Sequence, residues 1–444
     1  MKTRQVQVTL LAISLFAAPA ILAQETPSGA PQGEVPPVES AAPAATTPPT
    51  PAAPALDERV AAVESKLAGT EETVGAMQAS VDGFKKLKIG GFIQGRYEYH
   101  QDAVDGWSNY KNENRFYVRH AYLGAKYEGR NAEYFLQIDA NNNDGFALKD
   151  AEATFVDTWT PLHLRVTLGQ FKVPFGYEIL QSDADREMPE RSQVILSLFP
   201  GDRDRGLRLQ GSYEMFRLNI ALVNGASFGQ KDPSNYQGVV QNGYDPNGFK
   251  TVVGRLGADL GWLAGGVSGM WGRTLDTALL PNPTTTPATA ASYLYYEQLR
   301  LGADVQGYVD VPEVGGLAVK GELIWARKRN LDYDLGPAND CLDRRSLGWM
   351  ITAVQNIGPY LGVALRFDQF DPLLSSTLDS RCSAAASPSA AIKNRDLDRL
   401  SRLGVALLLH GSANIKFTLS YEHPWEQGPA VSNDIVTAQL QARF

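Results

Sequence analysis

Ten ionisable side chains crowd into the 32 residues from Val173 to Asp204: Glu178, Asp183, Asp185, Arg186, Glu187, Glu190, Arg191, Asp202, Arg203 and Asp204. Interleaved acids and arginines can pair with one another. In a narrow, water-filled space they can also act on passing ions, because screening there is weaker than in bulk water. Further cations recur along the rest of the chain at Arg96, Arg165, Arg208, Arg255, Arg300, Lys320, Arg366, Arg402 and Lys416. Acids recur beside them at Glu98, Glu133, Asp139, Asp259, Asp304, Glu322, Asp368 and Glu422, so the two signs nearly cancel. No covalent or metal chemistry competes with this reading. The five histidines (100, 120, 163, 410 and 423) are scattered without metal-ligand spacing, and there is neither a GxSxG elbow nor a P-loop. The chain is therefore expected to be no enzyme and to carry no cofactor or metal. A net charge of −8 argues against nucleic-acid binding.

These charges need elements to position them. The last nine residues, Val436–Phe444, put Val436, Ala438, Leu440, Ala442 and Phe444 in one apolar row. Thr437, Gln439, Gln441 and Arg443 form the opposite, polar row, as a strand with two unlike faces requires. A strand ending in Phe and a free carboxylate resembles the terminal strand of a bacterial outer-membrane barrel. Sixteen segments of this kind are expected, near 87–100, 114–128, 132–141, 148–157, 162–172, 205–214, 216–224, 250–260, 262–272, 292–309, 317–328, 345–356, 361–370, 399–410, 414–424 and 434–444. Gaps between them alternate between short and long. An even count with short turns on one rim and longer loops on the other predicts an all-β transmembrane antiparallel barrel over 86–444. Both termini would then lie on the periplasmic, short-turn side. The apolar row of each strand would face outer-membrane lipid, leaving the cations above as lumen wall. The second strand resists this rule, because neither of its rows is cleanly apolar; a lumen-facing Arg119 would need Tyr117, Arg119 and Ala121 inward.

Ahead of the barrel the character changes three times. Residues 1–23, with Lys2 and Arg4 before a short apolar run, read as a signal peptide. Residues 24–55 hold nine prolines among Ala, Thr and Ser and read as an extended, disordered linker. Over 56–85, Leu56, Val60, Val63, Leu67, Thr70, Val74, Met77, Val81 and Phe84 follow a 4-3 spacing, which predicts a short periplasmic coiled coil of two or three strands. Cys341 and Cys382 lie in polar segments of an exported chain and are expected to be bridged.

The run Gly169-Gln170-Phe171-Lys172-Val173-Pro174-Phe175-Gly176 resembles the hallmark of the phosphate-selective porin O and P family. Phe116–Gly124, Tyr134–Asp139, Glu190-Arg191-Ser192, Asp204-Arg205-Gly206 and Asn224-Gly225 are similar to further family signatures in the same order. The resemblance covers 86–444 and is clearest over 114–225. It implies a trimeric, water-filled outer-membrane channel for small hydrophilic solutes, anions such as phosphate above all, whose third external loop folds inward. The 173–204 segment falls in that slot. Arg119, Arg165, Arg186, Arg191, Arg203, Arg205 and Arg208 are the expected constriction residues, with Arg96, Arg255, Arg300, Lys320, Arg366 and Arg402 on the wall. The near-cancelling charges leave a general or non-anion-selective porin open. So is a tether, in which residues 24–85 reach the cell wall or a periplasmic partner.

Overall fold

The computed structural model describes residues 85–101, 114–142, 145–225, 248–276, 294–331, 342–378, 399–427 and 433–444, with Val74, Met77 and Gly83 ahead of them. Val74, Met77, Gly83 and Lys85 are helical. The rest of the expected signal peptide, linker and coiled coil, together with Cys341 and Cys382, lies outside the described residues.

Sixteen antiparallel strands close on themselves among the described residues. They are β1 (Leu87–His100), β2 (Asn114–Glu128), β3 (Ala132–Asn142), β4 (Gly145–Val156), β5 (Arg165–Lys172), β6 (Arg203–Tyr213), β7 (Phe216–Val223), β8 (Thr251–Asp259), β9 (Leu263–Asp276), β10 (Leu294–Val311), β11 (Gly315–Asn330), β12 (Leu342–Ile357), β13 (Leu361–Leu378), β14 (Leu400–Ser412), β15 (Ile415–Glu426) and β16 (Ile435–Arg443). One short helix, α1 (Gln193–Leu198), lies between β5 and β6. Each strand pairs with its sequence neighbours, and β1 pairs with β16 from Phe92↔Arg443 to His100↔Ile435. Phe444 completes the seam: its N–H donates to Gly91 O and its O accepts from Gly91 N. Closure leaves no free sheet edge. The expected sixteen strands are borne out, with ends shifted by a few residues; β13 extends furthest beyond its expected bound, to Leu378.

Connections on one rim run from two residues (214–215, 413–414) to eight (157–164). The other rim carries the long connections, the longest being 173–202, with the two-residue 143–144 as an exception. Period two sorts the side chains. In β16, Leu440 is 54% exposed on the outer face, while Thr437, Gln439 and Gln441 are at most 5% exposed inside. Outward aliphatic side chains such as Ile93, Leu136, Leu168, Leu222, Val267 and Leu323 ring the barrel. Trp159, Trp262 and Tyr360 stand exposed at the short turns, where an interfacial girdle belongs.

β2 departs from strict alternation for a visible reason. Gln94 pairs with His120, but the next residue, Gly95, pairs with Val118, so Arg119 is the extra residue of a bulge. Tyr117 and Arg119 point inward above it, and His120 and Tyr122 point inward below it, where both are buried. The expectation of one continuous inward row through Ala121 is thus corrected: the row switches at Arg119.

Candidate functional site

The segment joining β5 to β6 lies inside the barrel, seated on one half of the wall by apolar packing and on the other by polar bonds. The motif Gly169–Gly176 starts it. Phe171, Val173 and Phe175 alternate and are fully buried, joining Ile179, Val194, Ile195 and Phe199 of the same segment. Val223 of β7, Val253 of β8, Met270 of β9, Ile324 of β11 and Phe370 of β13 complete this cluster from the wall. Gly169 (φ 140) and Gly176 (φ 60) bracket the motif in conformations that favour glycine. A Cβ on Gly169 would collide with Ala151 O, and one on Gly176 with the Glu322 carboxylate. That carboxylate accepts from the Tyr177 and Glu178 N–H groups at 3.2 and 2.9 Å. Glu178 in turn accepts from Ser192 N and Ser192 Oγ, and Gln193 N donates to Asp368 at 2.9 Å.

The opposite half is held by charge and amide contacts. Glu190 accepts from Arg96 Nη1 at 2.6 Å and from Arg119 Nε at 2.7 Å. Arg366 donates to Glu190 O at 2.6 Å and lies 3.2 Å from Asp368 and 3.4 Å from Glu422. Asp183 accepts from Tyr122 Oη at 3.0 Å and pairs with Arg186. Lys320 pairs with Glu187, and Lys416 Nζ donates to Ala184 O and Arg186 O at 2.8 and 2.9 Å. Gln94 and Gln441 bond each other and reach the Asp183 and Ala184 carbonyls. The segment therefore spans the interior, touching strands on every side.

Burial opposes charge on this segment, yet three of its acids are held in the ionised form. Arg119 and then Arg96 hold the Glu190 carboxyl below the usual carboxylate range against its desolvation. Arg186, with Lys172 and Arg191, does the same for Asp183, and Arg191 with Arg203 for Asp202. Desolvation pushes Tyr177 up to about 12.

The expected constriction arginines divide. Arg119 meets Glu190 at the bulge with about a third of its side chain exposed. Arg165 pairs with Glu133 and Arg208 with Glu152, both on the inner wall. Arg186 is taken up by Asp183, Arg191 by Asp202 at 2.7 Å, and Arg203 by Asp150 and Asp202 at 2.8 and 2.9 Å. These three buried guanidiniums anchor the segment. Arg205, half-buried, pairs across to Gln170 of β5 and joins none of these ion pairs among the described residues. On the wall, Arg96 also bonds Gln439, Arg255 pairs with Asp304 at 2.6 Å and Arg402 with Glu422 at 2.9 Å. Arg300 is buried over the Phe199 ring at 4.5 Å and donates to Gln298.

Among the water-accessible spaces that flank the segment, two bear on its charges. One, of about 340 Å3, lies between Glu190 and β1, β2, β14 to β16, and is lined by Glu98, Arg115, Tyr117, Arg119, Arg402 and Glu422. The other, of about 560 Å3, lies towards the short-turn rim. Sequence reasoning missed Tyr117, which donates to Glu98 at 2.8 Å beside Arg96, and it missed the apolar cluster. The signal for the latter was present: Ile324 and Phe370 are apolar residues in inward rows.

Residues 93–255 match the family model of the phosphate-selective porins O and P, so the resemblance read from the sequence is borne out over that stretch. No curated protein matches the chain. Among solved structures it is similar to Pseudomonas putida OprB at high pH, at 12% identity and a TM-score of 0.53, covering 84% of this chain and 97% of that one. A loop L8 deletion mutant of the outer-membrane protein OmpT of Vibrio cholerae matches at 8% identity and a TM-score of 0.51, covering 81% and 99%. The anion-selective porin from Comamonas acidovorans matches at 11% identity and 0.50, also covering 81% and 99%. At these identities the likeness is one of fold.

Proposed function

We propose that residues 86–444 form an outer-membrane diffusion porin that passes small hydrophilic solutes, with anions such as phosphate among them. One observation carries the reading: the 173–202 segment crosses the interior of a closed sixteen-strand barrel and narrows it. The outward apolar ring suits contact with outer-membrane lipid, and the short-turn rim with both barrel termini suits the periplasmic side. The family match supports anions as solutes. Ion pairing bears on the strength of that preference. Arg186, Arg191 and Arg203 each face a carboxylate, so little uncompensated positive charge remains at the segment, and selectivity is weak.

The chain assembles as a homotrimer, with the 56–85 heptads helping to join three copies; mass measurement in mild detergent checks this. Val74 and Met77, both on the heptad seam, are exposed in the single chain, which favours a partner for that face. The 24–85 stretch, in the periplasm, is free to contact the cell wall or a periplasmic protein, and deletion of 24–85 tests whether the channel needs it. The reversal potential in a potassium chloride gradient tests selectivity: a small shift towards the chloride potential is expected, and a potential close to that of potassium contradicts the anion reading.

A further inference from the structure

Channel interiors are ordinarily polar, but part of this one is not. The 560 Å3 cavity below the 173–202 segment has an apolar wall of Leu317, Ala318, Val354 and Leu408. Ala318, Val354 and Leu408 pack with Met188, Ala364 and Ala406 into one cluster. Cations line the same cavity, and most are already spent. Lys320 is paired with Glu187, and Arg186 with Asp183. Of the acids, Asp185 is held by Arg443. Lys416 differs. Among the described residues its Nζ meets two backbone carbonyls and no carboxylate within ion-pair distance. That leaves a third N–H for a ligand. Tyr308, Asp310 and His410 complete the ionisable lining.

An ammonium with no carboxylate at ion-pair distance, beside an apolar wall, suits a monoanion with an apolar body. It does not suit phosphate, which needs several converging donors and would shed water onto Leu317 and Ala318 without replacement. We propose that this cavity is a transit subsite for small organic monoanions, short-chain carboxylates in class. The carboxylate meets Lys416 Nζ and the chain lies along Leu317 and Ala318. The inference rests on the porin reading and deepens it.

Two measurements on the full chain test it. Calorimetric titration in detergent with acetate, hexanoate and inorganic phosphate reads binding; chloride current across a planar bilayer reads the channel. Each buried methylene contributes about fourfold in affinity, so with half of hexanoate's four extra methylenes covered it binds on the order of tenfold more tightly than acetate. Phosphate binds no better than acetate. Ala318→Asp, which sets a second anion on the apolar wall, removes the hexanoate preference, and Ala318→Asn weakens it while adding no charge. Lys416→Arg retains it. A chain that conducts chloride but binds the two acids alike, or binds phosphate best, overturns the subsite and leaves the porin standing. A chain that prefers hexanoate but carries no current keeps the binding site and sinks both the porin and the transit role.

Discussion

Glu322, on β11, accepts the backbone N–H of Glu178 at 2.9 Å across the lumen, and Gly176 is the residue that lets the chain come that close. With φ of 60° and no Cβ, Gly176 brings two consecutive N–H groups onto one buried carboxylate. Gly176→Ala would combine left-handed strain with displacement of that acid, at a cost of about 2–4 kcal/mol. Faster proteolysis within 177–199 and an earlier loss of folded electrophoretic mobility on heating are expected; unchanged values would show that the contact does not hold the segment.

Arg96 and Arg119 share the single negative charge of Glu190. Glu190→Gln keeps the shape and removes the charge. The chloride-to-potassium permeability ratio should rise by about twofold to fivefold, since fixed charge acts strongly in a confined, weakly screened space. A ratio that falls or stays level would place the solute path away from Arg119.

Read from sequence alone, exchanging Arg191 and Arg203 for Glu should lower the same ratio by reversing charge at the eyelet. In the folded chain both are buried against Asp202 and Asp150, so the first effect is structural. Arg203→Ala leaves Asp150 buried and unpaired, which costs about 3–5 kcal/mol. Thermal unfolding in detergent checks it, and an unaltered transition would mean that the pair is dispensable.

The depressed pKa values of Asp183, Glu190 and Asp202 set an acid limit. A lowered folded pKa gives stabilisation that is complete above the unfolded value of about 4 and is lost as pH falls through the folded one. Unit conductance should therefore hold steady from pH 8 to about pH 5 and change only below about pH 4. A transition near pH 6 would show that groups other than these acids set the limit.

Much of the barrel was legible because period two leaves a direct trace. Thr437, Gln439 and Gln441 against Leu440 tell the inner face from the outer in the sequence itself. Bulges leave no such trace. One extra residue at Arg119 switched β2 midway, and nothing in the composition of Tyr117–Tyr122 signals it. Length and order place the inward segment, but its charges, which alone suggest a filter, are mostly mutual partners. Pairing depends on three-dimensional proximity: Arg203 finds Asp150, 53 residues away in the chain. The apolar alternation of Phe171, Val173 and Phe175 was seen as a signature and not as a core, because a lumen is not where a core is sought.

Cys341 and Cys382 follow β11 and β13, strands separated by one neighbour. A bridge between their loops is expected in an oxidising compartment. Peptide mapping without reductant should find the two joined; two free thiols in freshly isolated protein would contradict it.

The most direct measurement is single-channel conductance in planar bilayers, on the full chain and on a variant in which 177–199 is replaced by a short Gly-Ser linker. A segment that narrows a porin barrel gives small, uniform steps that grow several-fold once it is removed. Steps of equal size in both proteins, or none in either, would contradict it.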